Sequence, residues 1–232
     1  MHPSAMKNGE YFFQRYLRYV KSEAPIKVVD IGAQNVNGSL REVCPEACEY
    51  IGVDFVAANG VDVVLDDPYT LPFQDSSIDV IVSSSCFEHS EMFWVLFLEV
   101  LRVLKPNGLF YLNAPSNGNF HRFPVDCWRF FPDSGKALVS WARRNNVQAE
   151  LLESFISFQD VQCWNDFVAV FVKDKEYCNL YPERILSGRQ DIENAFSYPL
   201  EEIINFSDRT EDLRKIFSMR NKLRKLSDIL RN

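Results

Sequence analysis

The sequence predicts a doubly wound α/β domain with a mostly parallel sheet and a helical C-terminal extension. Three observations carry this prediction. Short runs rich in Val and Ile recur along the first half of the 232-residue chain, segments of helical character separate several of them, and beyond Lys173 the chain becomes charged and interrupted. Runs that short and that uniformly apolar suit strands covered on both faces. Their alternation with helices is the pattern of a parallel sheet.

An aromatic amphipathic stretch, Asn8 to Val20, is expected as an opening helix, stopped by Pro25. Ile26 to Ile31 then begins the strands, and Tyr50 to Val53, Val61 to Leu65, Ile78 to Val82 and Leu109 to Leu112 continue them. The clearest helix is Glu91 to Leu104. Ser90 can cap its first turn, and Trp94, Phe97, Leu98, Leu101 and Leu104 recur at helical spacing. Lys105-Pro106-Asn107-Gly108 should end it. A further helix, Asp133 to Asn146, precedes two strand-like runs, Glu150 to Ser157 and Val161 to Val172. The domain should therefore cover residues 1–173 and the extension 174–232. In the extension, Ile216, Met219, Leu223, Leu226 and Leu230 make a short a/d seam from Asp208 to Asn232. That seam fits a helix docked on its own domain and also a helix for self-association.

Composition narrows the partners. The net charge of -7 argues against duplex nucleic acid, which needs concentrated Lys and Arg. No apolar run approaches the roughly 20 residues that span a bilayer, and Met1 to Glu10 lacks the apolar centre of a secretory signal. Six scattered cysteines without a C-x-x-C pair suit reduced thiols in the cytoplasm. A cytoplasmic protein with no membrane or nucleic-acid partner is expected.

Five motifs carry chemistry. Val28-Val29-Asp30-Ile31-Gly32-Ala33-Gln34, running on to Gly38, ends the first strand with a Gly that lets the backbone turn and a ligand approach. It is not the dinucleotide fingerprint, because the next Gly after Gly32 comes six residues on instead of two. Asp54, followed by Phe55, closes Tyr50-Ile51-Gly52-Val53, where a carboxylate can accept both hydroxyls of a ribose. The others are Leu65-Asp66-Asp67-Pro68-Tyr69-Thr70-Leu71-Pro72-Phe73, the run Ser76 to His89 containing Ser83 and Ser84, and the helix ending Leu104-Lys105-Pro106-Asn107-Gly108.

Taken in order, these motifs resemble the class I S-adenosylmethionine-dependent methyltransferases, particularly small-molecule enzymes with an L-P-F segment. The likeness runs from about Val28 to Asn113. It implies a Rossmann-like, seven-stranded, mostly parallel sheet closed by an antiparallel hairpin, with S-adenosylmethionine as cofactor and a small molecule as acceptor. It also implies Asp30 and Gly32 near the methionine part of the donor, Asp54 on the ribose, Asp66 or Asp67 near adenine, and Ser83 to Cys86 along the cofactor floor. Ala33, Gln34 and Phe55 flank these positions. Two departures stand out: Gln34 replaces a second Gly, and Pro68 has no N–H to donate if Asp67 is the adenine acid.

The connection from about Pro115 to Pro132 leaves the carboxyl end of the fifth strand and reads as a substrate-facing lid bearing Arg122, Asp126, Trp128 and Arg129. The other reading is an aromatic plug in which Arg129 pairs with Asp126. His89 and His121 follow neighbouring strands and are candidates for a catalytic base, or they merely hydrogen-bond within the lid. Cys86, His89, His121 and Cys127 have ligand types for zinc, but no second close pair is present and no metal is expected. Two other functions compete with methyl transfer: a scaffold that keeps the fold without catalysis, and a nicotinamide-dependent oxidoreductase, which the missing fingerprint disfavours.

Overall fold

The computed structural model describes residues 2–22, 24–158, 164–209, 219–221 and 223–224. Eight strands form one sheet: β1 (Lys27–Ile31), β2 (Glu49–Asp54), β3 (Val63–Val64), β4 (Ile78–Ser84), β5 (Leu104–Pro115), β6 (Glu150–Ser157), β7 (Asp166–Val172) and β8 (Ile192–Ser197). Their order is β3-β2-β1-β4-β5-β7-β6-β8. The first five pair in parallel, and β5–β7, β6–β7 and β6–β8 pair antiparallel. Strand order reverses between β1 and β4, and in such sheets the ligand crevice opens beyond the carboxyl ends at that reversal.

The apolar runs are continuous because the sheet is covered on both faces. Val29, Ile31, Ile81, Phe110, Leu112 and Phe171 point to one side, against helices α2 (Phe93–Val103) and α3 (Asp133–Arg144). Their neighbours Val28, Val80, Val82, Leu109, Tyr111 and Val170 point to the other, against α1 (Pro3–Tyr16). Alternating side chains thus fill two cores from one run. Helix α1 contributes Phe12, Phe13 and Tyr16 at helical spacing, and Phe12 stacks on Tyr111 with ring centroids 4.8 Å apart.

Several elements differ from expectation. The opening helix starts at Pro3, where proline costs no hydrogen bond in a first turn, and it ends at Tyr16, followed by a 3-10 turn over Leu17–Tyr19. Ser90 does not cap α2, since that helix starts at Phe93 with no side-chain cap. Lys105 to Gly108 does not form a stop after the helix but belongs to β5, which begins at Leu104 directly after Val103. The third strand shrinks to two residues.

The sheet has eight strands where seven were expected, because part of the presumed helical extension joins it. After a 3-10 turn at Lys175–Leu180, β8 adds to the edge of β6. Buried Glu153 on β6 ties the same segment down. It accepts the Tyr16 hydroxyl at 2.6 Å and the backbone N–H groups of Ile185 and Leu186 at 2.7 and 3.0 Å, which offsets the cost of enclosing a carboxylate. Of the a/d seam, Ile216, Leu226 and Leu230 lie outside the described residues, so the seam and any self-association through it do too. Met219 and Leu223 are exposed.

Candidate active site at the carboxyl ends of β1, β2 and β4

Two confluent chambers open at the reversal, of about 380 and about 230 Å³. They share Gly32, Asp54, Phe55, Cys86 and His89. Gln34, Ser84, Ser85, Glu88, His121, Phe123, Trp164 and Asp166 belong to the larger, whereas Leu65, Pro68, Tyr69, Ser90, Leu96 and Val125 belong to the smaller.

Gly32 forms the turn from β1. Its φ is +81°, and a Cβ there would sit 2.5 Å from the Cβ of Cys86 and 2.7 Å from its Sγ. The position therefore needs glycine both for its backbone and for the close approach of the β4 loop. The chain after it completes the turn at Gly38, whose N–H donates to Asn35 Oδ1 at 2.9 Å. Gln34, in place of a second glycine, donates its N–H to Asp54 Oδ2 at 3.4 Å, and Val56 N donates to Oδ1 at 3.2 Å. Two backbone donors hold the Asp54 carboxylate at the chamber mouth and leave lone pairs for a ligand.

Three polar atoms around this cleft are buried without a hydrogen-bond partner: Ser84 Oγ and Glu88 Oε2 at the larger chamber and Ser90 Oγ at the smaller. Orphaned buried polar atoms are rare in folded proteins, and an ordered water, an ion or a ligand can satisfy them. Burial pushes the Glu88 carboxyl up to about 8, while burial pushes the His89 imidazole below its ordinary range. His89 and His121 meet edge to face with centroids 4.9 Å apart, and His121 meets Trp164 in the same way at 4.8 Å.

Asp30 does not line the cleft. It is buried behind Gly32, accepts the Tyr50 hydroxyl at 2.6 Å, and is pushed by burial up to about 6. Ala33 and Ser83 also lie behind the lining, Ser83 donating to the Ile31 carbonyl at 2.9 Å. Asp66 and Asp67, expected at the adenine, are exposed and face neither chamber. Asp67 instead closes its own turn, accepting Tyr69 N at 3.0 Å and Thr70 Oγ1 at 2.9 Å, so Leu65, Pro68 and Tyr69 form the wall there. That wall is anchored by Arg102 on α2, which donates to the Leu71 and Phe73 carbonyls, both at 3.0 Å.

The lid residues also divide. Arg129 holds Asp126 with bonds of 2.6 and 2.9 Å, and that guanidinium keeps the Asp126 carboxyl down at about 2. The Asp126–Arg129 pairing is the one the plug reading had. Trp128 packs edge-on against Phe93 and Trp94 and donates its indole N–H to the Ser90 carbonyl at 2.9 Å. Arg122 is exposed and donates to the Pro124 carbonyl at 3.1 Å. None of these four residues lines either chamber. The lid instead presents His121, Phe123, Pro124 and Val125 to the cleft.

Glu88, Trp164 and His2 were missed as site residues. The signal for Glu88 lay beside His89. Trp164 is seated over Gly118, whose φ is +107° and where a Cβ would lie 2.0 Å from the indole. His2, one residue before α1, stacks on Trp164 at 5.9 Å.

Residues 15–112, less than half of the chain, match the family model described as "Methyltransferase domain", in keeping with the resemblance read from the sequence. A Mycobacterium tuberculosis protein described as an uncharacterized methyltransferase is 42% identical over 59 residues, 25% of this chain and 20% of that protein. The chain thus matches only about a fifth of that relative's length. Among solved structures, the 1,6-didemethyltoxoflavin-N1-methyltransferase of Burkholderia thailandensis, bound to 1,6-didemethyltoxoflavin and S-adenosylhomocysteine, superposes with a TM-score of 0.56 at 15% identity. The match covers 74% of this chain and 79% of that one. The [4+2]-cyclase SpnF shares the fold as well, with a TM-score of 0.51 at 14% identity, covering 73% of this chain and 81% of that one. At such identities the likeness is one of fold, and fold does not settle the reaction.

Proposed function

We propose that the protein transfers a methyl group from S-adenosylmethionine to a small-molecule acceptor. The observation that carries this reading is the double chamber between Gly32, Asp54 and Ser84. It has room for a nucleoside and its amino-acid tail, a carboxylate at its mouth, and unpartnered buried oxygens. The bound donor would supply an electrophilic methyl group on a positive sulfur. Asp54 would accept the ribose hydroxyls, and Leu65, Tyr69 and Leu96 would pack the base in the smaller chamber. The backbone at Gly32 and the hydroxyl of Ser84 would receive the amino-acid tail in the larger one. Phe55 stands 48% exposed at the junction, where a bound nucleoside would cover it.

The acceptor would then lie under His121, Phe123 and Trp164, which exclude water and align it with the methyl group. A hydroxyl acceptor must also lose a proton, and His89 and His121 are the groups placed to handle it. The acidic net charge and the concave chamber rimmed by aromatic rings favour a small acceptor over nucleic acid. Among the described residues no helix is long and apolar enough to cross a membrane, and the five cysteines among them are all free, which suits a reducing, cytoplasmic setting.

Calorimetric titration with S-adenosylhomocysteine tests the reading. One site is expected, and Asp54→Ala should weaken it by a factor of 10 or more, about 1.4 kcal/mol. A folded wild-type protein that bound neither S-adenosylmethionine nor its product would overturn the assignment and favour a scaffold.

A further inference from the structure

Glu88, His89 and His121 converge beside the larger chamber, and one ligand atom from each lies within 4.8 Å of the other two. Glu88 is only 1% exposed, and its Oε2 lines no hydrogen bond. Its Oε1 stands 3.6 Å from His89 Nε2, beyond hydrogen-bond range. The other nitrogen of that ring, Nδ1, is engaged by the Val125 carbonyl. A carbonyl only accepts, so Nδ1 carries the hydrogen, and in the neutral ring the lone pair is on Nε2, the nitrogen near the Glu88 carboxyl. His121 is braced in the same manner, its Nδ1 lying 3.3 Å from both the Asn119 carbonyl and Asp126 Oδ2. Imidazoles steadied through one nitrogen by a carbonyl or carboxylate are the usual support of metal ligands.

We propose that Glu88, His89 and His121 bind one divalent first-row transition cation, best matched by Zn²⁺, whose open positions take an oxygen of the acceptor. Two imidazoles and one carboxylate suit such ions better than Mg²⁺ or Ca²⁺, which prefer oxygen-only ligands. Bonds of about 2.0 Å would draw the three groups together by roughly 1 Å. This rests on the methyltransferase reading and names how its acceptor is activated. Coordination lowers the pKa of a hydroxyl. With both imidazoles on the cation they no longer serve as bases; the proton passes to water at the cleft opening, the oxygen bonds the methyl carbon, and the carbon–sulfur pair returns to sulfur.

Titration of the untagged protein with Zn²⁺, and with Co²⁺ as a visible probe, is the test. One equivalent of Zn²⁺ should bind, and Co²⁺ should give weak d–d bands without thiolate charge transfer. Glu88→Gln and His121→Ala should each weaken Zn²⁺ by a factor of 10 or more, roughly the loss a removed ligand or its support causes. Far-UV circular dichroism and Tm serve as the folding control. Absence of stoichiometric Zn²⁺ binding by the wild type, Co²⁺ bands of thiolate origin, or Zn²⁺ affinity unchanged in folded variants would each overturn the proposal. Loss of product binding alone, with Zn²⁺ still bound, would instead sink the methyltransferase reading.

Discussion

Asp126 and Arg129 close on one another through two hydrogen bonds, and the same Asp126 Oδ2 accepts the backbone N–H of His121 at 2.7 Å. The pair lies outside the chamber, yet it fixes where His121 enters it. Arg129 also donates to the Asn119 carbonyl at 2.9 Å, joining both arms of the lid.

Removal of that guanidinium should therefore act on the lid first. Arg129→Ala leaves a nearly enclosed Asp126 carboxylate short of its cation, and hydrogen bonds to charged groups contribute about 1.5–3 kcal/mol. Stability in urea should fall by about 2 kcal/mol. Turnover should fall further than S-adenosylhomocysteine affinity does, because His121 is displaced while Asp54 and Gly32 are not. Equal losses in both would show that the pair supports the donor chamber as well.

Gly32→Ala meets two obstacles at once, a φ of +81° and the Cys86 side chain at 2.5 Å. Left-handed strain in a non-glycine residue costs about 1–3 kcal/mol, and the β4 loop must also retreat. Product binding, read by calorimetry, should weaken by more than tenfold, with a lowered Tm. Unchanged binding would mean that the ligand does not approach this turn.

Arg102→Ala tests the L-P-F wall. Arg102 chelates Glu99 with bonds of 2.7 and 2.8 Å, and Glu99 Oε1 in turn accepts Leu71 N at 2.8 Å. Without the guanidinium, amide exchange over residues 66–75 should accelerate, and stability should fall by about 1–3 kcal/mol. Protection that persisted would assign the wall's rigidity to Leu65 and Leu71 alone.

Asp191 should contribute an acid-sensitive share of stability. The Arg189 guanidinium, 2.8–2.9 Å away, holds its carboxyl down at about 2, against an ordinary 3.8. Because the folded value is the lower one, the contribution is present above the ordinary value and is lost as pH falls toward about 2. Asp191→Asn should lower Tm near neutrality, and the gap from wild type should close between about pH 4 and pH 2. A gap constant across that window would show that Arg189 does not stabilise the ionised form.

Much of the fold was legible in the sequence because it depends on local pattern. The run ending at Gly32, the Asp54 strand tip, the Phe97–Leu101 helix and the β6–β7 hairpin each announce themselves by apolar period and turn chemistry. That signal blurs at edges. Val63–Val64 pairs for only two residues, and β8 contains Glu193 and Asn194 and forms a strand because β6 offers it an open edge.

The candidate site divides along the same line. Gly32 and Asp54 could be placed from the sequence alone, since a tight turn and a strand end fix where their atoms go. The fates of Asp67, Asp126 and Arg129 could not, since a carboxylate in a loop can face a ligand or satisfy its own turn, and only packing chooses. The meeting of His2, Glu88, His121 and Trp164 is decided by tertiary structure alone. Those residues arrive on four separate segments, and their proximity follows from how the sheet ends and the lid close together, a long-range outcome that no local period encodes.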